Sequence, residues 1–316
     1  MGATCNKESR TAHFGARECV ITFFLKPACL AWLGAARRTL RDYARIRRFR
    51  WLYCLLGLGR CCDSSSISPH IYPLLPLNAR AEVLLEVCIA SVEDAIAACR
   101  GGADRLELNL GIELGGLTPS IGLLEEVKRA VDLPVVAMVR PKPGGFVYSP
   151  AELRLMMRDA EMLLAAGADG IVSGALQEDG TLDREFWLSL RQLSIGRPLV
   201  FHRALDTVTD PKSLLQPLID LGTTRVLTSG GCDTVWEGRD QIALWQQLFG
   251  NQLEILPGAG VTPDNAVPLI RAIGCNQLHG SFSRLQRSNS SGWLREQSFR
   301  QTCPQLVSAA RAALNS

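Results

Sequence analysis

Between Leu84 and Ser281 the chain alternates eight times between a short apolar run and an amphipathic stretch of helical length. Runs of four to six residues rich in Val, Ile and Leu, bounded by Gly, Pro or Ser, read as buried strands. The candidate strands are Leu84–Ile89, Arg105–Leu110, Val135–Arg140, Gly170–Ser173, Leu199–Arg203, Arg225–Ser229, Leu253–Pro257 and Gln277–Ser281. The stretches between them carry helix punctuation. Ser91 precedes the first helix and Gly101-Gly102 closes it. Ser149-Pro150-Ala151-Glu152 offers a capping box with Pro in the first turn. Asp210-Pro211 and Thr262-Pro263 repeat the cap-then-Pro start, and Gly167, Gly222 and Gly274 end helices before the next strand.

Eight βα units within residues 81–316 predict an α/β fold, the (β/α)8 TIM barrel, whose usual length is about 250 residues. A doubly wound sheet would more commonly hold about six strands. The barrel therefore takes residues 81–316, and residues 1–80 form an extension outside it. That extension holds 13 Lys+Arg against 4 Asp+Glu, a net charge of +9, and the remainder holds 21 against 27, a net of −6. Six of the eleven cysteines also lie in the first 80 residues. Arg-rich, acid-poor composition fits an organellar targeting segment, a variable extension without a fold of its own, or a basic arm. The apolar run from Val20 to Ala36 is broken by Lys26-Pro27 and is too short for a membrane span. The body's charges are dispersed, which implies no nucleic-acid partner and no membrane role. Its cysteines form no CxxC pair, so free thiols in a reducing, cytoplasmic setting are expected, or an organellar one if the extension is a targeting peptide.

Chemistry in such a barrel sits at the C-terminal strand ends. Strands 1 and 2 end in Glu86-Val87-Cys88 and Glu107-Leu108-Asn109. Side chains alternate across a strand, so each triplet offers a carboxylate plus a thiol or amide to one interior face. The later ends carry Arg140, Ser173, His202-Arg203 with Asp206 beyond, Thr228-Ser229, Gly258-Ala259-Gly260 and His279-Gly280-Ser281. The body's two histidines are both at strand ends. Glu86 and Glu107 suit either an ion-pair layer with Arg140 or Arg203, or a general acid/base pair. His202 and His279 suit either interior hydrogen bonding or catalysis and ligation at the mouth. Arg140, Arg203, Asp206, Ser229, Gly258, Gly260 and Ser281 are candidate substrate or anion contacts, with the glycines as a phosphate cradle. The Gly115-Gly116 segment reads as a flap or as a turn into the next helix. None of the three body lysines is at an inward strand position, which argues against a Schiff-base aldolase. No His/Asp/Glu cluster with hydrolytic-zinc spacing is visible.

These residues fall in blocks that resemble one family. LLEVC-x-x-S-x-E-x-A (84–95), GGADRLEL (101–108), LGGLTPS (114–120), RP-x-x-G-x-F-x-YS (140–149), GADGIVSGAL-x-x-DG (167–180), VFHRALD (200–206), RVLTSGG (225–231), PGAGV (257–261) and LHGS (278–281) resemble the CutC copper homeostasis proteins. The resemblance covers about residues 84–283 and excludes the extension. It implies a TIM barrel, a homo-oligomer and copper(I) binding, with Cys88 matching one of two cysteine ligands. Asn109 stands where the second would be, and Gly145 replaces an acidic residue. An amide is a poor copper(I) ligand, so binding should be weakened, with Cys232 the nearest alternative thiol. The alternative is a TIM-barrel enzyme acting on a small, phosphorylated or unphosphorylated metabolite. Its acid/base groups would be Glu86, Glu107, His202 and His279.

Overall fold

A computed structural model describes residues 83–287 and 298–316. The expectations for residues 1–80 lie outside the described residues. Eight parallel strands form the sheet: β1 (Leu84–Ile89), β2 (Arg105–Leu108), β3 (Val135–Met138), β4 (Gly170–Ser173), β5 (Leu199–Phe201), β6 (Arg225–Thr228), β7 (Glu254–Pro257) and β8 (Gln277–Gly280). Their order is β7-β6-β5-β4-β3-β2-β1-β8, with β1 paired to both β2 and β8. The helices between them are α1 (Val92–Arg100), α2 (Ile121–Ala130), α3 (Pro150–Ala165), α4 (Arg184–Leu193), α5 (Lys212–Asp220), α6 (Arg239–Phe249) and α7 (Pro263–Ile273). This is the expected TIM barrel. Its one seam lies between β7 and β8, where the Gln277 side-chain Nε2 donates to the Ile255 carbonyl at 3.2 Å.

Strand parity separates two apolar layers. Leu85, Val87, Leu106, Leu108, Ala137, Phe201, Val226 and Leu278 point outward and join helix residues such as Leu124, Met156, Trp187 and Trp245 in the main core. Fully burying each large apolar side chain contributes about 1.5–3 kcal/mol, which makes this outer layer the principal source of stability. Inward positions of β3 to β7 supply a smaller plug of Val136, Met138, Val172, Val200, Leu227 and Leu256, while Arg225 at the start of β6 is inward and charged. Inward positions of β8, β1 and β2 are instead polar: Gln277, His279, Glu86, Cys88, Arg105 and Glu107. The barrel interior is thus apolar on one side and ionic on the other.

Local capping follows the sequence. Ser149 and Glu152 form the capping box of α3, and Thr262 with Asn265 forms that of α7. Helix α5 departs from expectation: Pro211 is its N-cap and makes no side-chain cap, while the Asp210 carbonyl accepts from Ser213. Strands 2, 3, 5, 6 and 8 stop one or two residues before their expected ends. The inward polar residues that follow, such as Asn109 and His202, therefore stand on loops at the rim. An antiparallel pair, β9 (Ser283–Arg287) with β10 (Ser298–Thr302), precedes the last helix α8 (Pro304–Asn315). The Thr302 N–H donates to Asp94 at 2.7 Å, tying this pair to α1.

Candidate functional site

The ladder between β1 and β8 sets Glu86 opposite His279, and that between β1 and β2 sets Glu86 opposite Arg105. Glu86 is 1% exposed and every nearby cation converges on it. Arg105 Nε pairs with its Oε2, Arg225 Nη1 lies 4.0 Å from the same oxygen, and His279 Nδ1 lies 2.8 Å from Oε1. Burial alone would raise the Glu86 pKa, but the His279 hydrogen bond and the Arg105 and Arg225 charges outweigh it and hold the carboxyl well below the usual range. The ion-pair layer expected from sequence therefore exists with different partners. Arg105 and Arg225 serve it, because their inward positions at the strand starts reach the depth of Glu86. Arg140 and Arg203 belong to the mouth.

Arg140 Nη1 donates to the Leu114 and Gly116 carbonyls, both at 3.0 Å, and Nη2 donates to the Gly144 carbonyl at 2.8 Å. It thereby pins the Gly115-Gly116 turn and stacks over Phe146 at 5.0 Å. Arg203 Nε donates to Asp206 at 3.0 Å, and Nη2 donates to Ser229 Oγ at 2.8 Å. Asp206 is saturated as well. It accepts from the hydroxyl of Thr228 and from the N–H groups of Ser229 and Gly231, which places it as the anchor of the loop after β6.

One strand pitch above Glu86, toward the mouth, Cys88 Sγ, a Glu107 carboxylate oxygen and a His279 ring nitrogen lie within 4.8 Å of one another. This three-ligand group includes a thiol, which is why a search for His, Asp and Glu alone passes over it. Glu86 holds Nδ1 of His279, leaving Nε2 as the ring nitrogen open to the neighbouring Cys88. A carboxylate behind an imidazole in this way fixes the ring and strengthens it as a ligand. Burial lowers the His279 pKa, but Glu107, the Cys88 contact and Glu86 together carry it well above the ordinary value. Burial raises both Cys88 and Glu107. Asn109 Nδ2 donates to Glu107 Oε1 at 2.8 Å and to Cys88 Sγ at 3.3 Å, so the amide occupies the space beside the thiol. Cys232 stands apart from this group, with its Sγ 3.9 Å from the Gly230 carbonyl.

These residues line a cavity of about 190 Å³ that also takes in Gly116, Met138, Phe146, His202, Arg203 and Leu227. The structure thus brings Cys88, Glu107, His279, His202 and Arg203 to one space. It leaves Glu86 beneath them and Arg140, Asp206 and Ser229 as supports around them. His202 is buried, and its Nδ1 accepts the Ala204 N–H at 3.2 Å. Burial and the Arg140 charge push its pKa down to about 3. Gly258 and Gly260 are not among the lining residues. A Cβ at Gly258 would come within 2.7 Å of Leu227 and 3.2 Å of His279, so glycine there lets His279 pack. Ser281 Oγ faces Ser283 Oγ at 3.1 Å. Among the described residues no helix is long and apolar enough to cross a membrane.

The model of the CutC family matches residues 83–284. A CutC family protein of Treponema denticola is 46% identical over 205 residues, 65% of this chain and 82% of the relative. The copper homeostasis protein cutC homolog of Homo sapiens is 43% identical over 198 residues, 63% of this chain and 72% of the relative. A crystal structure of a CutC protein from Streptococcus agalactiae superposes with a TM-score of 0.60 at 32% identity, covering 63% of this chain and 98% of that one.

Proposed function

This chain belongs to the CutC family, and from that membership we propose that it serves copper homeostasis by holding one copper(I) ion between Cys88 and His279 at the barrel mouth. The observation that carries the reading is the convergence of Cys88, Glu107 and His279 ligand atoms within 4.8 Å. Thiolate and imidazole suit copper(I), whereas the Glu107 carboxylate is a harder donor that would contribute charge more than bonding. The N–H of Asn109 donates toward the sulfur where a second thiol would otherwise add a ligand. Affinity should accordingly fall below that of a two-cysteine site.

The test is copper(I) titration of the full chain in competition with a chromophoric copper(I) chelator, beside Cys88→Ser and His279→Gln. Cysteines in residues 1–80 contribute alike to all three proteins, so the difference isolates the mouth. Loss of one tight equivalent in both variants supports the reading, and equal stoichiometry and affinity in all three would sink it.

A second reading, an enzyme on a small metabolite, is favoured by one observation: three buried polar atoms of the cavity residues, Glu107 Oε2, Asn109 Oδ1 and His202 Nε2, lack partners among the described residues. In that reading Glu107, Cys88 and His279 would share proton transfer, because both oxygens of Glu86 are taken by its cationic partners. Glu86 would then be a positioning residue, and His202 a donor rather than a base.

A further inference from the structure

The cavity holds more directed polarity than a single ion would use. On the β5 side, the Ala204 N–H occupies Nδ1 of His202, so the neutral ring carries its proton on Nε2. That Nε2–H is buried and has no acceptor among the described residues. Beside it, Arg203 is 41% exposed at the rim; its Nε and Nη2 are bonded, and its Nη1 has no protein partner among the described residues. On the β2 side stand two buried acceptors without partners, Glu107 Oε2 and Asn109 Oδ1. A buried polar group left unpaired costs about 1–3 kcal/mol, and folded proteins keep few of them. Three around one cavity therefore point to an occupant that pairs them.

We infer that the mouth binds a small carboxylate bearing a hydroxyl or amino group on the adjacent carbon, and that it does so without a metal. The two carboxylate oxygens meet the two donors, His202 Nε2–H and Arg203 Nη1. The neighbouring hydroxyl or amine donates to Glu107 and Asn109 across the cavity. Phe146, Met138 and Leu227 supply an apolar wall for a short carbon chain. A volume of about 190 Å³ is well below the roughly 300–1,000 Å³ of drug-sized sites, which suits an acid of two to four carbons and excludes a nucleotide. A phosphate would bring three terminal oxygens to two free donors and two acceptors. That mismatch disfavours it here.

This inference does not rest on copper. The experiment uses the full chain with metal removed by a chelator, and saturation-transfer NMR with L-lactate, propionate and inorganic phosphate as probes. L-lactate should bind at least about tenfold more tightly than propionate, since a site built for a hydroxyl leaves buried acceptors unpaired with an analogue lacking it. Asn109→Ala should bring that ratio close to one. His202→Asn keeps an acceptor for the Ala204 N–H but removes the Nε2–H, and should weaken L-lactate by about tenfold or more. If that variant does not fold, Arg203→Met at the rim should give the same direction of change. Equal binding of L-lactate and propionate, no binding of either, or tighter binding of phosphate would overturn the inference. L-lactate binding is read on the metal-free chain and copper(I) binding by the separate chelator competition, so failure here and failure of the copper reading are told apart.

Discussion

Glu86 Oε1 and His279 Nδ1, opposed across the β1–β8 ladder, are 2.8 Å apart and join the ionic floor of the barrel to its mouth. The carboxylate below is held ionised by Arg105, Arg225 and the imidazole. The imidazole above is held in one orientation by the carboxylate. Glu86→Gln would leave two buried guanidinium groups without their shared countercharge, and losing one partner of a buried pair costs about 3–5 kcal/mol. Urea denaturation should register that loss. Glu254 also pairs with Arg225, at 2.6 Å, yet its side chain is 49% exposed. Glu254→Gln should therefore cost less than Glu86→Gln, because water reaches the carboxylate of that pair.

His202 gives a dependence of stability on pH. Its pKa falls to about 3 in the folded chain against 6.5 ordinarily. The unfolded chain thus binds a proton that the folded chain refuses. The stabilisation is complete above pH 6.5 and is lost as pH falls toward 3, by up to about 1.4 kcal/mol per pH unit. His279, whose pKa is raised, works in the opposite sense: its contribution is complete below pH 6.5 and declines as pH rises. The two slopes oppose each other in the whole protein. The difference in unfolding free energy between wild type and His202→Asn, measured from pH 7 to pH 5, should separate them. It should shrink as pH falls, and a constant difference would contradict a buried neutral His202.

The eight-fold alternation was legible because strand and helix leave different periods in the sequence, and because most outward strand residues, such as Val87 and Leu108, are apolar. Glu107 and His279 were legible as strand-end residues. Arg105 and Arg225 were not singled out, because they begin their strands and look, in sequence, like solvent-facing ends. Parity alone could have found Arg105, since it is two residues before Glu107 and must share its face. The depth at which Arg225 reaches Glu86 depends on the stagger of the barrel, which no local pattern carries. The β9–β10 pair leaves no mark in the sequence because its residues are largely exposed, so no apolar alternation signals it. Cys232 follows two glycines with positive φ, and the turn they make decides where its thiol goes.

The cysteines of the barrel should differ sharply in reactivity. Cys99 is exposed near the end of α1, whereas Cys275 is buried and its pKa is pushed up to about 11, chiefly by burial. The thiolate is the reacting species, so at pH 8 a buried thiol of this kind is nearly inert. Iodoacetamide followed by peptide mass mapping should find Cys99 modified in the native protein. Cys275 should be modified only after denaturant is added. Early labelling of Cys275 would mean that the strand start of β8 opens far more readily than its packing implies.

On the proposed copper(I) reading, Asn109 is the position whose side chain sets the number of soft ligands. Its Nδ2 lies 3.3 Å from Cys88 Sγ, so a thiol placed there would stand beside the first. Asn109→Cys would exchange a hydrogen-bond donor for a second soft ligand, the type that selects copper(I). Copper(I) affinity should rise by at least about tenfold, equivalent to about 1.4 kcal/mol. The same change removes the 2.8 Å hydrogen bond to Glu107 Oε1 and leaves that buried carboxylate with less support. Stability of the metal-free chain should fall by about 1–3 kcal/mol, the cost of a buried polar group left unpaired. Binding should recover part of that loss, since a ligand held only by the folded chain stabilises it by mass action. Competition titration and urea denaturation with and without copper(I) read the two effects separately. An unchanged affinity would place the ion away from Cys88, and an unchanged stability would show that Glu107 does not depend on the amide.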